Sequence, residues 1–224
     1  MLEPRFIHSL SEVSAEQWNA VAGCDYPFTR YEFLWALEET GATTADSGWE
    51  PRHLLLSRGE DLVALLPLYL KHHSYGEYVF DWSWADAYRR YGLAYYPKLL
   101  AAIPFTPATG PRLCLHAGED REAALDCVVT ALRAQADRKG ASSVHVLFPD
   151  AEESARWQRR GLATRVGPQY HWYNRNYTDF DAFLAGFASR KRKSLRRERR
   201  RVAEQGLSLR VVEGRDIDAE LWRR

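Results

Sequence analysis

Two-residue alternation and helical stripes succeed one another along this chain, separated by well-marked turn residues. Arg5 to Ser9 reads as a short strand. Ser14 then opens a helix: Gln17 stands three residues on, a capping box, and Val13 is placed to staple onto Trp18. The signature recurs with Thr29 as cap and Glu32 behind it, Phe28 set to staple onto Phe33, and Gly41 closing the helix. His53 to Ser57 and Leu62 to Lys71 flank a turn containing Gly59 and predict a hairpin. Pro67 has no N–H to give a ladder, so it demands an edge position or a bulge. Tyr75 to Trp84 is aromatic and reads as extended, with a short helix ending before Gly92. Tyr95 to Phe105 and Arg112 to Leu115 read as strands around the turn at 106–110. Leu125, Val128, Val129, Leu132 and Ala136 fall on one helical face that ends before Gly140.

Ser143 to Phe148 predicts a buried strand, Ala151 to Arg160 a helix capped by Gly161, and Ala163 to Val166 and Tyr170 to Asn176 two more strands. The order implies a mixed α/β architecture with a central twisted sheet. From Thr178 the texture changes. Phe180, Phe183, Leu184 and Phe187 form a helical stripe that Leu195 and Val202 extend, with Lys191 falling on it. Leu207, Leu209 and Val211 alternate as a strand, and Asp216 to Arg224 reads as the start of an amphipathic helix without a C-cap. The expectation is a first domain over 1–168 and the beginning of a second over 169–224. The chain then reads as truncated, with a missing C-terminal half that would pack on it.

Composition adds the class. Of 224 residues, 46% are hydrophobic and 27% charged, which excludes a disordered, collagen-like or disulfide-dense protein. The net charge of +1 hides an asymmetry: residues 190–201 hold nine basic side chains and one acidic, leaving 22 basic and 29 acidic elsewhere. Cys24, Cys114 and Cys127 form no close pair and share no ligand spacing with the histidines, so neither a disulfide nor a metal site is expected. The longest apolar run, Leu62 to Leu70, is nine residues and too short to span a membrane. With no signal-peptide pattern at the start, the reading is cytoplasmic.

Two stretches carry a family resemblance. One is Tyr95-Tyr96-Pro97-Lys98-Leu99, continuing to Pro104-Phe105-Thr106-Pro107 and Gly110-Pro111-Arg112. The other is Gln169-Tyr170-His171-Trp172-Tyr173-Asn174, followed by Ser189-Arg190-Lys191-Arg192-Lys193 and Arg197-Glu198-Arg199. Together they resemble the bacterial FemAB-like N-acyltransferases of peptidoglycan biosynthesis or recognition, over essentially the whole chain. The resemblance implies a GNAT-like fold, a mostly antiparallel mixed sheet flanked by helices, followed by the start of a second GNAT-like half. It also implies transfer of an acyl or aminoacyl group to an amine, with acyl-CoA or aminoacyl-tRNA as donor. In that setting Tyr96, Lys98, Arg112, Trp172 and Asn174 are expected to bind substrate.

The chemistry-bearing residues each have a structural alternative. Tyr95 or Tyr96 could donate a proton to the leaving group, with Lys98 and Arg112 at the mouth of a cleft; the same segment can be a proline-stiffened hairpin. Asp81, Asp86 and His171 are candidates for the base that takes the amine proton, the aspartates in an aromatic setting able to raise a carboxylate pKa. Aromatic packing and a satisfied core histidine are the alternatives. The oxyanion would be met by backbone N–H groups at a splayed central strand. Arg190, Lys191, Arg192, Lys193 and Arg197 suit a polyanion such as tRNA, an anionic lipid surface, or simply a solvated face. Gln158-Arg159-Arg160-Gly161-Leu162-Ala163 and Arg89-Arg90-Tyr91-Gly92-Leu93-Ala94 match a pyrophosphate-loop pattern, but each glycine follows a helix rather than opening one. A non-catalytic RNA- or lipid-binding module and an inactive fragment are the competing functions.

Overall fold

The computed structural model describes residues 1–223, and the chain divides into two compact units, Met1–Gly167 and the segment from Pro168 onward. The first unit is mixed α/β. β1 (Glu3–Ile7) leads through a 3₁₀ turn to α1 (Ala15–Ala22), whose Ser14–Gln17 capping box forms. α2 (Tyr31–Glu39) follows, but its N-cap is Arg30 rather than Thr29. Thr29 is drawn into a preceding 3₁₀ turn, where its hydroxyl donates to the Tyr26 carbonyl at 3.1 Å and cannot cap. The Phe28–Phe33 staple does form, with ring centroids 5.4 Å apart.

β2 (Trp49–Pro51), β3 (His53–Arg58), β4 (Asp61–Leu66) and β5 (Leu68–Lys71) come next. They form a single long hairpin in which both arms change sheet, one at Arg52 and the other at Pro67. Pro67 therefore sits neither on an edge nor in a bulge. Lacking an N–H, it marks the break between two ladders in the middle of the fold. α3 (Trp82–Arg90) replaces the C-terminal end of the expected extended segment, and β6 (Lys98–Ala101) and β7 (Cys114–Leu115) are the short ordered remnants of the next two strands. α4 (Arg121–Lys139) ends at Gly140 in the left-handed region, before β8 (Val144–Val146) and α5 (Ala151–Gln158).

Strands pair in the orders β1-β3-β4-β7 and β2-β5-β6-β8, antiparallel throughout except for the parallel pair β6–β8. On one face, Leu54, Leu56, Leu66, Leu68, Leu99 and Ala101 pack against Leu125, Val128 and Leu132 of α4. Each of these leucines contributes roughly 1.5–3 kcal/mol by leaving water. The opposite face carries Leu55 and Leu65 under α1 and α2, then Trp49, Tyr69 and Leu100 further along.

The second unit contains α6 (Phe180–Ala185), α7 (Ser189–Glu204) and α8 (Ala219–Trp222). The strands expected at 163–166, 170–176 and 207–211 do not form among the described residues. Alternation specifies a strand only where another strand offers its edge, and Leu209 and Val211 stand 92% and 95% exposed with no such partner. The stripe from Phe180 to Val202 is likewise interrupted near Gly186, so it lies on two helices. Lys191 is consequently an exposed side chain on α7, not a cation held on an apolar face. α8 is shorter than the helix expected over 216–224, whose last residue lies outside the described ones. No helix among the described residues is long and apolar enough to cross a membrane.

Candidate functional site

A buried lysine–carboxylate network is the chemical centre of the first unit. The register Trp49↔Lys71 and Lys71↔Lys98 places three residues in one row across β2, β5 and β6, so they share a face of the sheet. One row on, Tyr69 and Leu100 form an apolar floor. The segment 72–97 covers that face and supplies the acids.

Lys98 Nζ donates to Ser74 Oγ at 2.9 Å, to Glu77 Oε2 at 2.8 Å and to Asp81 Oδ2 at 2.6 Å, which uses all three of its protons. Tyr95 O–H donates to the same Asp81 oxygen at 2.6 Å. Tyr96 O–H and Ser74 Oγ lie 2.8 Å apart. An ammonium cannot accept, so Ser74 accepts from Lys98. Its own proton is then free to reach the Tyr96 oxygen, an arrangement that turns the Tyr96 proton outward. Lys71 Nζ sits 3.8 Å from the centre of the Trp49 ring and donates to the Tyr75 carbonyl at 3.3 Å. Glu77 Oε1 and Asp81 Oδ1 are buried without a hydrogen-bond partner among the described residues. Buried ions are costly unless paired, and two orphaned carboxylate oxygens here are a departure from ordinary core construction.

The groups differ sharply in proton affinity. Burial pushes the Lys71 amine down to about 7, with the Lys98 charge adding to the effect against the pull of Glu77. Burial would raise Asp81, but the hydrogen bonds from Lys98 and Tyr95 and the Lys98 charge hold it at about 2. Burial raises Glu77 despite Lys98. Tyr95 is pushed well up by burial and by Asp81, so it is a hydrogen-bond donor and not a proton source; burial raises Tyr96 as well. His145 on β8 is lowered to about 4 by burial and the nearby Lys98 and stays neutral, bonded to Ser143 Oγ at 2.8 Å. Lys98 and Asp81 are thus a fixed ion pair, and Lys71 is the group poised to exchange a proton near neutrality.

The structure brings together Tyr95, Tyr96 and Lys98 of the expected site residues. Lys98 is fully buried rather than at a cleft mouth. Arg112 is elsewhere and also buried: its guanidinium donates to the carbonyls of Leu147, Gly110, Pro111 and Ala108 at 2.6–3.1 Å. Glu153 accepts the Arg112 and Leu113 N–H groups, so Arg112 ties a loop shut and contacts no open site. Asp86 is half-buried on α3 and paired with Arg89 and Arg90, outside the network. Asp81, five residues earlier, is the aspartate that enters the network.

His171, Trp172 and Asn174 are exposed in irregular chain of the second unit, His171 stacked on Tyr173 and Asn174 bonded to the Asn176 N–H. Arg190, Lys191, Arg192, Lys193 and Arg197 project from α7, where Arg196 pairs with Asp181 at 2.8 Å. Lys71, Ser74, Glu77 and His145 were not anticipated. Lys71 had a signal: two residues after Tyr69 at the end of a buried run, it must share that residue's face.

Neither the start of α4 nor the two glycine patterns suit the pyrophosphate of acyl-CoA. At the start of α4 the Asp120 carboxylate already accepts the Glu122 and Ala123 N–H groups, at 2.9 and 3.2 Å, and Glu122 stands beside it. Gly161 and Gly92 follow the ends of α5 and α3, where their positive φ turns the chain away from the helix. Between β6 and β8 the ladder continues past Val146, where the Leu147 N–H is bonded to the Ala101 carbonyl at 2.9 Å and is not free to meet an oxyanion.

The family described as peptidoglycan biosynthesis/recognition, FemAB-like, matches residues 9–224. Similar solved structures include a ribosomal-protein-alanine N-acetyltransferase from Brucella melitensis, at 12% identity and TM-score 0.45, covering 78% of this chain and 99% of that one. Another is a GCN5-related N-acetyltransferase from Ralstonia eutropha, at 11% identity and TM-score 0.42, covering 77% and 99%. A third is an aminoglycoside 6′-N-acetyltransferase from Acinetobacter haemolyticus, at 14% and 0.40, covering 79% and 98%. No curated protein matches.

Proposed function

The chain belongs to the FemAB-like family, described as peptidoglycan biosynthesis/recognition, and from that premise we propose that it is an N-acyltransferase acting on an amine. The observation that carries the reading is a buried amine, Lys71, held near neutrality beside a fixed Lys98–Asp81 pair. The acceptor nitrogen attacks the acyl carbonyl, a new C–N bond forms, and the bond from carbonyl carbon to the leaving group breaks. The proton lost by the acceptor passes to Lys71 Nζ and is available for the leaving group. Tyr96, backed by Ser74 and Lys98, offers its outward O–H to the developing oxyanion. The Lys71 amine is fully buried and bonded to the Tyr75 carbonyl, so acceptor entry requires the chain around Tyr75 to move.

The donor is the finer part of the proposal. An aminoacyl ester on tRNA asks for phosphate contacts along the backbone and not for a helix N-terminus, and α7 supplies Arg190, Lys191, Arg192, Lys193 and Arg197. A cell-envelope role rests on the family description alone. The test is acyl transfer by the native chain, Lys71→Met and Tyr96→Phe across pH 5–9. Rate rising with pH to a plateau above about 7, with Lys71→Met losing that limb, is expected. An unchanged profile in Lys71→Met overturns the assignment. For the donor, tRNA binding at two salt concentrations is compared with Lys191→Ala and Arg192→Ala. Binding that is steep in salt and weaker in both supports it, and binding without any turnover favours a non-catalytic RNA module.

A further inference from the structure

The first unit carries an aromatic surface that its core does not use. Tyr75, Tyr78, Phe80, Trp82, Trp84 and Phe105 are each between 42% and 68% exposed. All but Phe105 come from the stretch 75–84, on the segment that covers the lysine network. The rings adjoin. Those of Tyr75 and Trp82 have centroids 4.9 Å apart, and the Phe105 ring lies over Gly76, where an added Cβ would stand 2.7 Å from it. Arg165 links the others, its guanidinium 5.3 Å from the Trp84 ring and one nitrogen 3.5 Å from the Phe80 carbonyl. Large apolar groups left in water in such concentration mark an interaction site.

The backbone singles out two of these rings. Tyr78 and Phe80 take φ of +60° and +55°, the left-handed region, an outlier for a bulky side chain. They lie between Glu77 and Asp81, whose carboxylates turn inward to Lys98 and are each 1% exposed. The left-handed turns therefore serve the acid network, but the rings do not. Glycine or asparagine takes this conformation at less cost. Among the described residues neither ring stacks on another, and the Tyr78 hydroxyl bonds to no protein group. The fold bears strain at both positions and gains no aromatic stacking from either.

The exposed charges beside the rings are arginines. Glu77 and Asp81 are spent on Lys98, and Asp86 is half-buried and held by Arg89 and Arg90 together. Those two arginines and Arg165 are exposed, three cations against one occupied carboxylate. Aromatic rings edged by arginine fit the headgroup–acyl boundary of an anionic bilayer, where Trp and Tyr keep a polar tip in water and a ring below it. A bilayer is fluid and takes each ring where it stands, whereas a folded partner must bring a preformed pocket for each. Two copies meeting through this face would set arginine against arginine.

We propose that this face of the first unit rests on an anionic membrane surface, with Tyr78, Phe80, Trp82 and Trp84 in the boundary region and Arg89, Arg90 and Arg165 at lipid phosphates. The proposal does not depend on the transferase reading, and its surface is not the basic helix α7.

The experiment mixes the full chain with vesicles of equal parts phosphatidylcholine and phosphatidylglycerol. It reads co-sedimentation together with quenching of tryptophan fluorescence by bromine on the acyl chains. The expected result is co-sedimentation with quenching. Trp82→Phe/Trp84→Phe keeps the aromatic surface but removes its reporters, so the vesicles should still carry the protein while most of the quenching disappears. Tyr78→Asn/Phe80→Asn should weaken partition by about tenfold or more. The same variant should melt no lower than the native chain, since asparagine relieves the left-handed strain, so lost binding is not lost folding. Lys191→Ala/Arg192→Ala should keep the quenching. No acyl donor is present, and Lys71→Met should bind like the native chain, so failure here and failure of the transferase reading are distinguishable. Quenching that survives Trp82→Phe/Trp84→Phe overturns the proposal, because the exposed Trp172 or Trp222 then meets the lipid. Sedimentation without quenching that salt abolishes does so too, being adsorption through α7 alone. Partition unaltered by Tyr78→Asn/Phe80→Asn also overturns it. So does absence of binding at about 1 mM lipid, whether the chain is monomeric or self-associates, since a partition as weak as that of one myristoyl chain is near saturation there.

Discussion

Lys98 and Lys71 are neighbours in one row of the sheet, both without solvent exposure, and replacing each by methionine should have opposite consequences for stability. Among the described residues Lys98 is the only cation bonded to Glu77 and Asp81, and its removal strands two buried carboxylates that already have one orphaned oxygen each. Breaking a buried pair in this way costs about 3–5 kcal/mol, because the remaining charge is left uncompensated. For a unit the size of residues 1–167, that is a fall in melting temperature of about 10 °C. Lys71 makes one long hydrogen bond and is held against its own charge by burial. Methionine keeps its apolar stem beside Trp49 and removes the cost of burying the amine, so Lys71→Met should melt within about 2 °C of the native chain or above it. Lys98→Met/Asp81→Asn should recover part of the loss, since one uncompensated charge goes with its partner. Thermal melts by near-ultraviolet circular dichroism at pH 7 read all three. A Lys98→Met protein as stable as the native one, or a Lys71→Met protein that falls as far, would refute the division into a structural pair and a proton-exchanging amine.

Three other outcomes follow from the same structure. Asp81 is held at about 2 in the fold against an ordinary 3.8, so its contribution, about 2 kcal/mol, is complete above pH 4 and lost as pH falls toward 2. Urea midpoints between pH 2 and 5 should show that decline in the native chain and a flatter one in Asp81→Asn. Arg112→Leu leaves the Ala108, Gly110, Pro111 and Leu147 carbonyls without their donor, a loss of about 3 kcal/mol. Arg112→Lys should not rescue it, since an ammonium cannot span the planar set; hydrogen exchange at the Gly110 and Leu147 amides is the readout, and protection unchanged in Arg112→Leu would contradict it. Gly48→Ala places a Cβ 2.3 Å from His73 Nε2 at a φ of +71° and should cost about 2 kcal/mol by urea denaturation; a cost near zero would show that the ring and turn move freely.

Local signals carried much of the first unit. The Ser14 capping box, the Phe28–Phe33 staple and the α4 stripe each involve residues within one or two turns, so periodicity alone exposes them. The missing strands at 170–176 and 207–211 show the converse. Their alternation is sound, but a ladder is a property of two segments and the sequence of one cannot report the other. Tyr95, Tyr96 and Lys98 were legible as a motif. Asp81 and Asp86 were not separable, because both stand among aromatics; the start of α3 at Trp82 puts Asp81 just outside the helix and fully buried, while Asp86, a turn along, is half-buried and taken by Arg89 and Arg90. Lys71 depended on the sheet change at Pro67, which sets β5 beside β6 and brings the two lysines level.

The closed ends of β6 and β8 bear on where a donor can lie. Parallel neighbours leave a crevice beyond their C-terminal ends, and such crevices are where open α/β sheets hold ligands. Here the chain between β6 and β7 folds back into that space. Arg112 reaches the Leu147 carbonyl, Glu153 takes the Arg112 and Leu113 amides, and the Gly110 N–H bonds to the Phe148 carbonyl. Each of these contacts uses up a backbone group in that space. The helix that would face a pyrophosphate begins with Asp120 on its own amides, so electrostatics and hydrogen bonding exclude the anion at the same point. The buried polar groups lie at the other end of β6, where Lys98 begins the strand and Lys71 ends its neighbour. On the proposed function, a donor that reacts in this unit would approach the lysine end of the sheet. Opening the Arg112 loop should increase hydrogen exchange without moving the pH dependence of transfer, whereas Lys71→Met should change that dependence and leave the loop protected.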